Sequence, residues 1–207
     1  MQEEKNLLDH LAKNSNVQIP VIEKIFQDGS FTLNNMVKGK VLKPWRYKKL
    51  SVKNKKTFAK QLANFLTLMH TTQIHSSFRE PRSTKTLKKE IRTYVFPKLN
   101  KREQQKILDF FELLEKHVST DQYTRRLIHN DLHTGHLLWD EKKNKLGIID
   151  FTDRGVEDAA EDFFALWRYG KKFVELVYSF YRGSKDEQFL ERSQLYFQRS
   201  SLHVMRD

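Results

Sequence analysis

The chain contains no cysteine, so disulfides and thiolate metal sites are excluded, and any metal must be held by nitrogen or oxygen. Glycine is scarce. There are seven in 207 residues, and the two nearest in sequence, Gly147 and Gly155, stand eight positions apart. A phosphate loop built on closely spaced glycines therefore has no place in these residues, and no Gly-Lys-Ser/Thr triplet occurs. No apolar run approaches the roughly eighteen residues that a spanning helix needs, so no membrane partner is expected. The opening Met1-Gln-Glu-Glu-Lys5 offers no apolar stretch suited to a secretory signal, and a cytoplasmic location fits these absences.

Acidic residues are missing from one stretch altogether. Between positions 38 and 60 there are ten Lys or Arg and no acid, whereas positions 129–162 hold nine acids against four bases. The formal charge of +12 is thus unevenly placed. A general nucleic-acid binder would not gather its acids in one segment, so nucleic acid is not the expected partner, and the acidic segment is where chemistry is sought. The basic stretch reads first as a solvated helix face and loop. Its alternative reading is an anion- or nucleic-acid-facing surface, with Trp45 and Tyr47 set among Lys43, Arg46, Lys48 and Lys49 to stack on bases.

Apolar residues make up 38% of the chain and include fifteen Phe, so a packed core is available and wholesale disorder is excluded. Residues 4–13 carry Leu7, Leu8 and Leu11 on one helical face, which Asn14-Ser-Asn ends. Residues 17–20 and 21–26 read as extended, Asp28-Gly29 as a turn, and Phe31-Thr-Leu as a strand. The chain turns helical after Gly39. Phe58, Leu62, Phe65, Leu66 and Met69 recur at three and four, predicting an amphipathic helix that ends near His70. Further helices are predicted over 83–95, stopped by Pro97, and over 101–118. The rhythm then changes: a short strand over 126–129, a hairpin formed by 136–140 and 146–151, and helices over 157–169 and 186–203. No internal repeat is present.

The chemistry lies in His129-Asn-Asp131-Leu-His133-Thr-Gly-His136-Leu-Leu, followed by Gly147-Ile-Ile-Asp150-Phe-Thr-Asp153. Asp131 follows a strand directly, so its carboxylate can project from a loop into a cleft. His136 opens the next strand and Asp150 closes its partner, which can bring the two together across the ladder. One carboxylate is then free to orient a hydroxyl, and a His–Asp pair is free to hold a divalent metal. Phosphoryl transfer asks for little more, being mostly positioning and charge neutralisation. A competing reading takes His129, Asp131, His133 and His136 as a zinc hydrolase site, but it leaves the Ile-Ile-Asp-Phe-x-Asp segment without a role.

The ordered set follows the protein-kinase pattern of a catalytic loop and then a metal-binding Asp-Phe. It resembles more closely the aminoglycoside phosphotransferase and choline kinase-like family, which reads His-Gly/Asn-Asp-Leu-His-x-x-Asn and then Ile-Ile-Asp-Phe-Gly-Asp. The similarity continues through Gly155-Val-Glu-Asp158-Ala-Ala-Glu-Asp162-Phe, the upstream helix end Leu66-Thr-Leu-Met-His70, and Val37-Lys-Gly39. His136, where the family usually has Asn, resembles the 2″-phosphotransferase branch; Thr152 replaces the usual Gly.

The resemblance implies an α+β, protein-kinase-like fold with a mostly helical large lobe carrying the catalytic hairpin. Residues 1–37 would be a remnant of the small lobe and 38–207 the catalytic lobe. It implies ATP and Mg²⁺ as cofactors and a hydroxyl of a small molecule as acceptor. Asp131 would be catalytic, and His136 and Asp150 would hold the metal. Leu138 and Ile149 would lie beneath the adenine, and Asn35, Met36 and Val37 would meet its edge. His129 and Asp153 would support the loop, and Glu4 would stand where the family's glutamate pairs with an ATP-binding lysine. That lysine and the Gly-rich loop are absent, so the chain is expected to be weak or inactive by itself, with a small-lobe edge open to self-association. The alternative is a degenerate lobe serving as a basic binding module for anions or nucleic acid.

Overall fold

The apolar residues spaced at three and four do form one buried stripe. Helix α3 (Val52–Thr71) places Phe58, Leu62, Phe65, Leu66 and Met69 beyond reach of solvent. Ser51 caps it, its hydroxyl accepting the Asn54 amide at 3.2 Å. Each such side chain contributes about 1.5–3 kcal/mol by burial, and the other elements assemble around this pillar. The computed structural model describes residues 2–26, 31–73, 84–118 and 123–206; the expected Asp28-Gly29 turn and the first residue of the 83–95 helix lie outside them.

In chain order the elements are α1 (Gln2–Asn14), β1 (Ile22–Ile25), β2 (Thr32–Asn34), β3 (Lys40–Val41), α2 (Pro44–Lys49), α3, α4 (Thr84–Glu90) and α5 (Lys101–His117). Then come β4 (Arg125–Ile128), β5 (Leu137–Asp140), β6 (Lys145–Ile148), β7 (Gly155–Asp158), a 3₁₀ helix (Ala159–Tyr169), α6 (Lys171–Phe180) and α7 (Phe189–Arg206). The fold is α+β and mostly helical. Among the described residues β1 pairs with β2, β3, β5 and β6 form one antiparallel sheet, and β4 pairs antiparallel with β7. Gln18 extends the three-stranded sheet: its amide donates to Leu146 O and its carbonyl accepts from Ile148, both at 2.8 Å.

The hairpin is two-faced. Leu137, Trp139, Leu146 and Ile148 enter the main core, while Leu138 is buried outside it, paired with Gly147 on the opposite face. Its turn is set by Asn144 in the left-handed region, φ +49°, and by Gln61 of α3, which accepts the Leu146 amide at 2.7 Å and donates to Asn144 O at 2.9 Å.

Several sequence expectations are corrected. Strand β6 stops at Ile148, so Asp150 lies beyond it rather than ending it; its φ of +65° turns the chain out of the ladder. The helix expected from 157 starts at Ala159, because Gly155–Asp158 pairs with β4 first. Pro97 does not stop the helix at 95. Past α4 the chain winds wider over Ile91–Val95 and tighter over Phe96–Lys98, and Pro97 sits in that tight first turn, where a missing N–H costs nothing. Before the chain turns helical, β3 pairs with β5. Helix α6 was not expected at all, yet it buries Phe173, Val174 and Val177. Tyr47 is buried edge-on against Tyr169 and Phe173, with ring centres 5.2 and 4.9 Å away, and offers no face to a base.

Candidate active site

Strand β4 delivers the chain to the loop 129–135, whose first two amides are gripped from below. The His129 N–H donates to Asp162 Oδ2 at 2.8 Å, and the Asn130 N–H to Asp162 Oδ1 at 2.9 Å. Asp162 is wholly buried in the 3₁₀ helix, and its Oδ2 also lies 3.0 Å from Nε2 of His70. The second ring nitrogen of His70 is 2.7 Å from the Tyr181 hydroxyl. A carboxylate only accepts, so Nε2 of His70 carries its proton and Nδ1 accepts from Tyr181. Burial drives the Asp162 carboxyl up, but His70 and the His129 amide outweigh it and hold the group below the ordinary carboxylate range.

Above this anchor the backbone is bent sharply. Asn130 has φ +67°, and its side-chain amide donates to Asp153 O at 2.8 Å. The buried His129 ring lies 3.2 Å from Ile149 O, so Nε2–H donates and ties the loop to the segment leading to Asp150. Asp131 projects, half-buried, from between these ties. Burial raises its carboxyl above the ordinary range, only partly opposed by the nearby His133 and His136.

His136 faces both carboxylates. Its Nδ1 lies 2.8 Å from the backbone O of Asp131 and 3.4 Å from Asp131 Oδ2. The carbonyl can only accept, so Nδ1 carries a proton, and in the neutral ring the Nε2 lone pair faces Asp150 Oδ2 at 3.5 Å. Two acceptors facing each other at that separation repel unless a cation or proton lies between them. This donor set fits a divalent cation. Asp150 is half-exposed; burial raises its carboxyl, but Thr152 and His136 together outweigh it and pull the group below the ordinary range.

His133 stacks on His136, ring centres 3.8 Å apart. Asp131, His133 and His136 bring one ligand atom each within 4.8 Å of one another, but zinc is disfavoured by the protons. His133 Nδ1 accepts the Gly135 N–H at 2.9 Å, so a neutral ring carries its proton on Nε2, the nitrogen 3.8 Å from Asp131 Oδ2. His129, the fourth member of that reading, is spent on Ile149.

On the far face of the hairpin, Val37 closes over Gly147: a β-carbon there would lie 2.6 Å from Val37 Cγ1. Val37 and Leu138 thus share one apolar surface, and Ile149 continues the chain beside it. Asn35 is engaged with Val21, donating its amide to Val21 O at 3.1 Å and accepting the Val21 amide through Oδ1. Met36 is 80% exposed, and the amides of Met36 and Val37 have no protein partner among the described residues. Glu4 faces Arg154, at 3.5 Å, and Arg154 in turn donates to Phe151 O at 2.8 Å.

Sequence reasoning placed Asp162 in the family motif and missed that it holds the loop. It also missed His70, Tyr181, Asn130 and Arg154 as partners. The signal for His70 was available: a histidine on the buried face at the end of α3 must find an acceptor inside the core.

The fold is protein-kinase-like, and the chain belongs to the phosphotransferase enzyme family, whose model it matches over residues 1–196. Its fold is similar to that of APH(2″)-IIIa solved with GDP and kanamycin (24% identity, 97% of this chain and 72% of that one covered, TM-score 0.84). It is also similar to a variant of aminoglycoside 2′-phosphotransferase-IIIa with GDP (26%, 99% and 74%, TM-score 0.82) and to ADP-bound APH(2″)-Ib (25%, 99% and 74%, TM-score 0.74). These likenesses support a small-molecule phosphotransferase that binds a nucleotide. No helix among the described residues is long and apolar enough to cross a membrane.

Proposed function

We propose that the protein transfers the γ-phosphoryl group of ATP, or of GTP, to a hydroxyl of a small polar molecule. The observation that carries this reading is the His136–Asp150 acceptor pair, 3.5 Å apart, beside the loop-held carboxylate of Asp131. In the transfer the acceptor oxygen bonds to the γ-phosphorus as the bond to the bridging β-phosphate oxygen breaks, and the hydroxyl proton passes to Asp131. Asp162 and His129 hold the loop so that this carboxylate points at the acceptor.

His136 Nε2 and Asp150 would hold Mg²⁺, which when bound neutralises phosphate charge. An imidazole is a less usual magnesium ligand than an amide oxygen, and Asp150 is the stronger of the two. Leu138, Ile149 and Val37 offer an apolar floor to the base, and the backbone amides of Met36 and Val37 its hydrogen-bonding edge. We divide the chain at 37/38 into a small-lobe portion and a catalytic lobe on the same grounds. These 207 residues contain no Gly-rich loop, and among the described residues Glu4 faces Arg154 rather than a lysine. Transfer by the chain alone is therefore slow, since each lost ~1.4 kcal/mol of transition-state contact is a factor of ten in rate.

Amino-sugar glycosides such as kanamycin, the ligand of one structural neighbour, are the first acceptors to test. The test follows γ-phosphoryl transfer to kanamycin by ³¹P NMR, with Mg²⁺, for the wild type and Asp131→Asn. Slow, metal-dependent transfer that Asp131→Asn abolishes supports the reading. Transfer indifferent to Asp131→Asn or to chelation overturns it.

A further inference from the structure

We propose that the basic stretch forms a second binding site, apart from the catalytic loop, for a nucleotide unit: a planar base carrying phosphate. A cavity of 680 Å³ opens there, lined by Lys40, Trp45, Arg46, Lys49, Ser51 and Glu141 among others. Trp45 is 58% exposed at its wall. Its neighbour Tyr47 is buried, so the segment turns one aromatic ring into the core and leaves the other at the cavity wall.

The charges around that ring are arranged for an anion. Lys49 Nζ lies 5.3 Å from its centre and the Arg46 guanidinium 6.0 Å. Arg46 is held in place by Glu141 Oε1 at 3.1 Å and Val41 O at 3.3 Å. Lys40 and Lys49 pair with no carboxylate among the described residues. Ser51 caps the 20-residue α3, whose first turn contains no acid, so the positive end of that helix faces the cavity uncompensated.

An inorganic anion would use the cations and leave the indole without a role. An apolar ligand would sit badly among Lys40, Arg46 and Lys49. A base stacked on Trp45, with its phosphate toward Lys40 and Lys49, uses both. The site is separate from the catalytic one. Lys40 pairs with Trp139, and Glu141 opens the hairpin turn, whereas His136 and Asp150 flank the other end of the same hairpin. Four residues at about 3.3 Å each put the two roughly 13 Å apart. The same chemistry comes from a free nucleotide or from one within single-stranded RNA, and the acid-free Lys43, Lys48 and Lys53 offer a longer chain further contacts.

The full chain, kept in EDTA, is titrated with AMP by calorimetry and with a fluorescein-labelled ten-residue oligoadenylate by anisotropy. Binding of either probe is expected to weaken about tenfold in Trp45→Ala and comparably in Lys49→Glu, the latter with a shallower salt dependence. Lys101→Glu on α5, the same charge change elsewhere, should move it less than twofold. Preference for the oligonucleotide identifies RNA as the source, and equal or better binding of AMP identifies a free nucleotide. Thermal melts check that the exposed substitutions leave the fold intact. The proposal is overturned if neither probe binds, if Trp45→Ala binds as the wild type does, or if Lys101→Glu costs as much as Lys49→Glu. Neither Trp45 nor Lys49 belongs to the phosphotransfer site, so AMP binding that survives both substitutions is assigned to that site and leaves its reading untouched.

Discussion

Nε2 of His136 faces Oδ2 of Asp150 at 3.5 Å, while Nδ1 of the same ring is committed to the backbone carbonyl of Asp131 at 2.8 Å. One hydrogen bond therefore fixes the tautomer, orients the ring and ties the position of the proposed metal pair to the proposed catalytic loop. A disturbance of the loop should reach the metal pair through this ring.

The grip of Asp162 on the loop is open to test by stability. Asp162→Ala removes the acceptor of the buried His129 amide, the part-buried Asn130 amide and His70, each worth roughly 1–3 kcal/mol when left unsatisfied. A loss of about 3 kcal/mol or more is expected in urea unfolding. The same group sets a pH dependence. Its folded pKa is depressed, so its contribution is complete above the unfolded carboxylate value, about 3.9, and is lost as pH falls through the lower folded value. Tyr181→Phe, which removes one hydrogen bond to His70, should cost only about 1 kcal/mol.

A second structural prediction concerns α7. Arg192 is fully buried and bonded to Asp158 at 2.6 Å and Asp186 at 2.7 Å, fixing α7 against the 3₁₀ helix. Arg192→Ala leaves the buried Asp158 carboxylate without a counter-charge, held only by the Tyr196 hydroxyl and the Ala160 amide, with an expected loss of about 3–5 kcal/mol. A melting temperature unchanged within a degree would contradict this.

The apolar floor predicts an effect on nucleotide affinity. Gly147→Val puts atoms where Val37 Cγ1 already lies, 2.6 Å from the β-carbon position. Val37 must be displaced, and nucleotide binding should weaken severalfold by calorimetry with little change in the far-ultraviolet circular dichroism. Wild-type affinity in this variant would remove Val37 and Leu138 from the base site.

The acid limb of transfer should lie high. Asp131 acts as its carboxylate, and its folded pKa is raised by burial. Activity is then present above that raised value and lost as pH falls through it, at a higher pH than an exposed aspartate would give. A kcat/KM profile with its acid limb at or below about 3.9 would contradict the role of Asp131.

Much of the fold was legible because its signals are local. The stripe on α3 and the alternation on the catalytic hairpin follow from side-chain period alone, and the ordered His-x-Asp and Asp-Phe motifs mark the site. What escaped depends on partners distant in sequence. Tyr47 reads as an exposed aromatic among lysines until α6, some 120 positions on, brings Phe173 against it. Asp162 reads as an ordinary helix acid, and only the β4–β7 pairing carries it beneath the amides of His129 and Asn130. Asp150 was placed at a strand end because no local rule announces a left-handed aspartate. Pro97 was read as a stop because a helix that tightens at its end gives no sequence warning.

The His136–Asp150 pair is tested most directly by calorimetric titration of Mg²⁺–ATP into three forms of the chain. The wild type should bind in a metal-dependent way. Asp150→Ala should weaken that binding about tenfold or more by removing the carboxylate between metal and phosphates. His136→Asn, which supplies the amide oxygen more usual for magnesium, should stay within about threefold of the wild type. Equal losses in the two variants, or binding unaffected by Asp150→Ala, would contradict the assignment of this pair as the metal site.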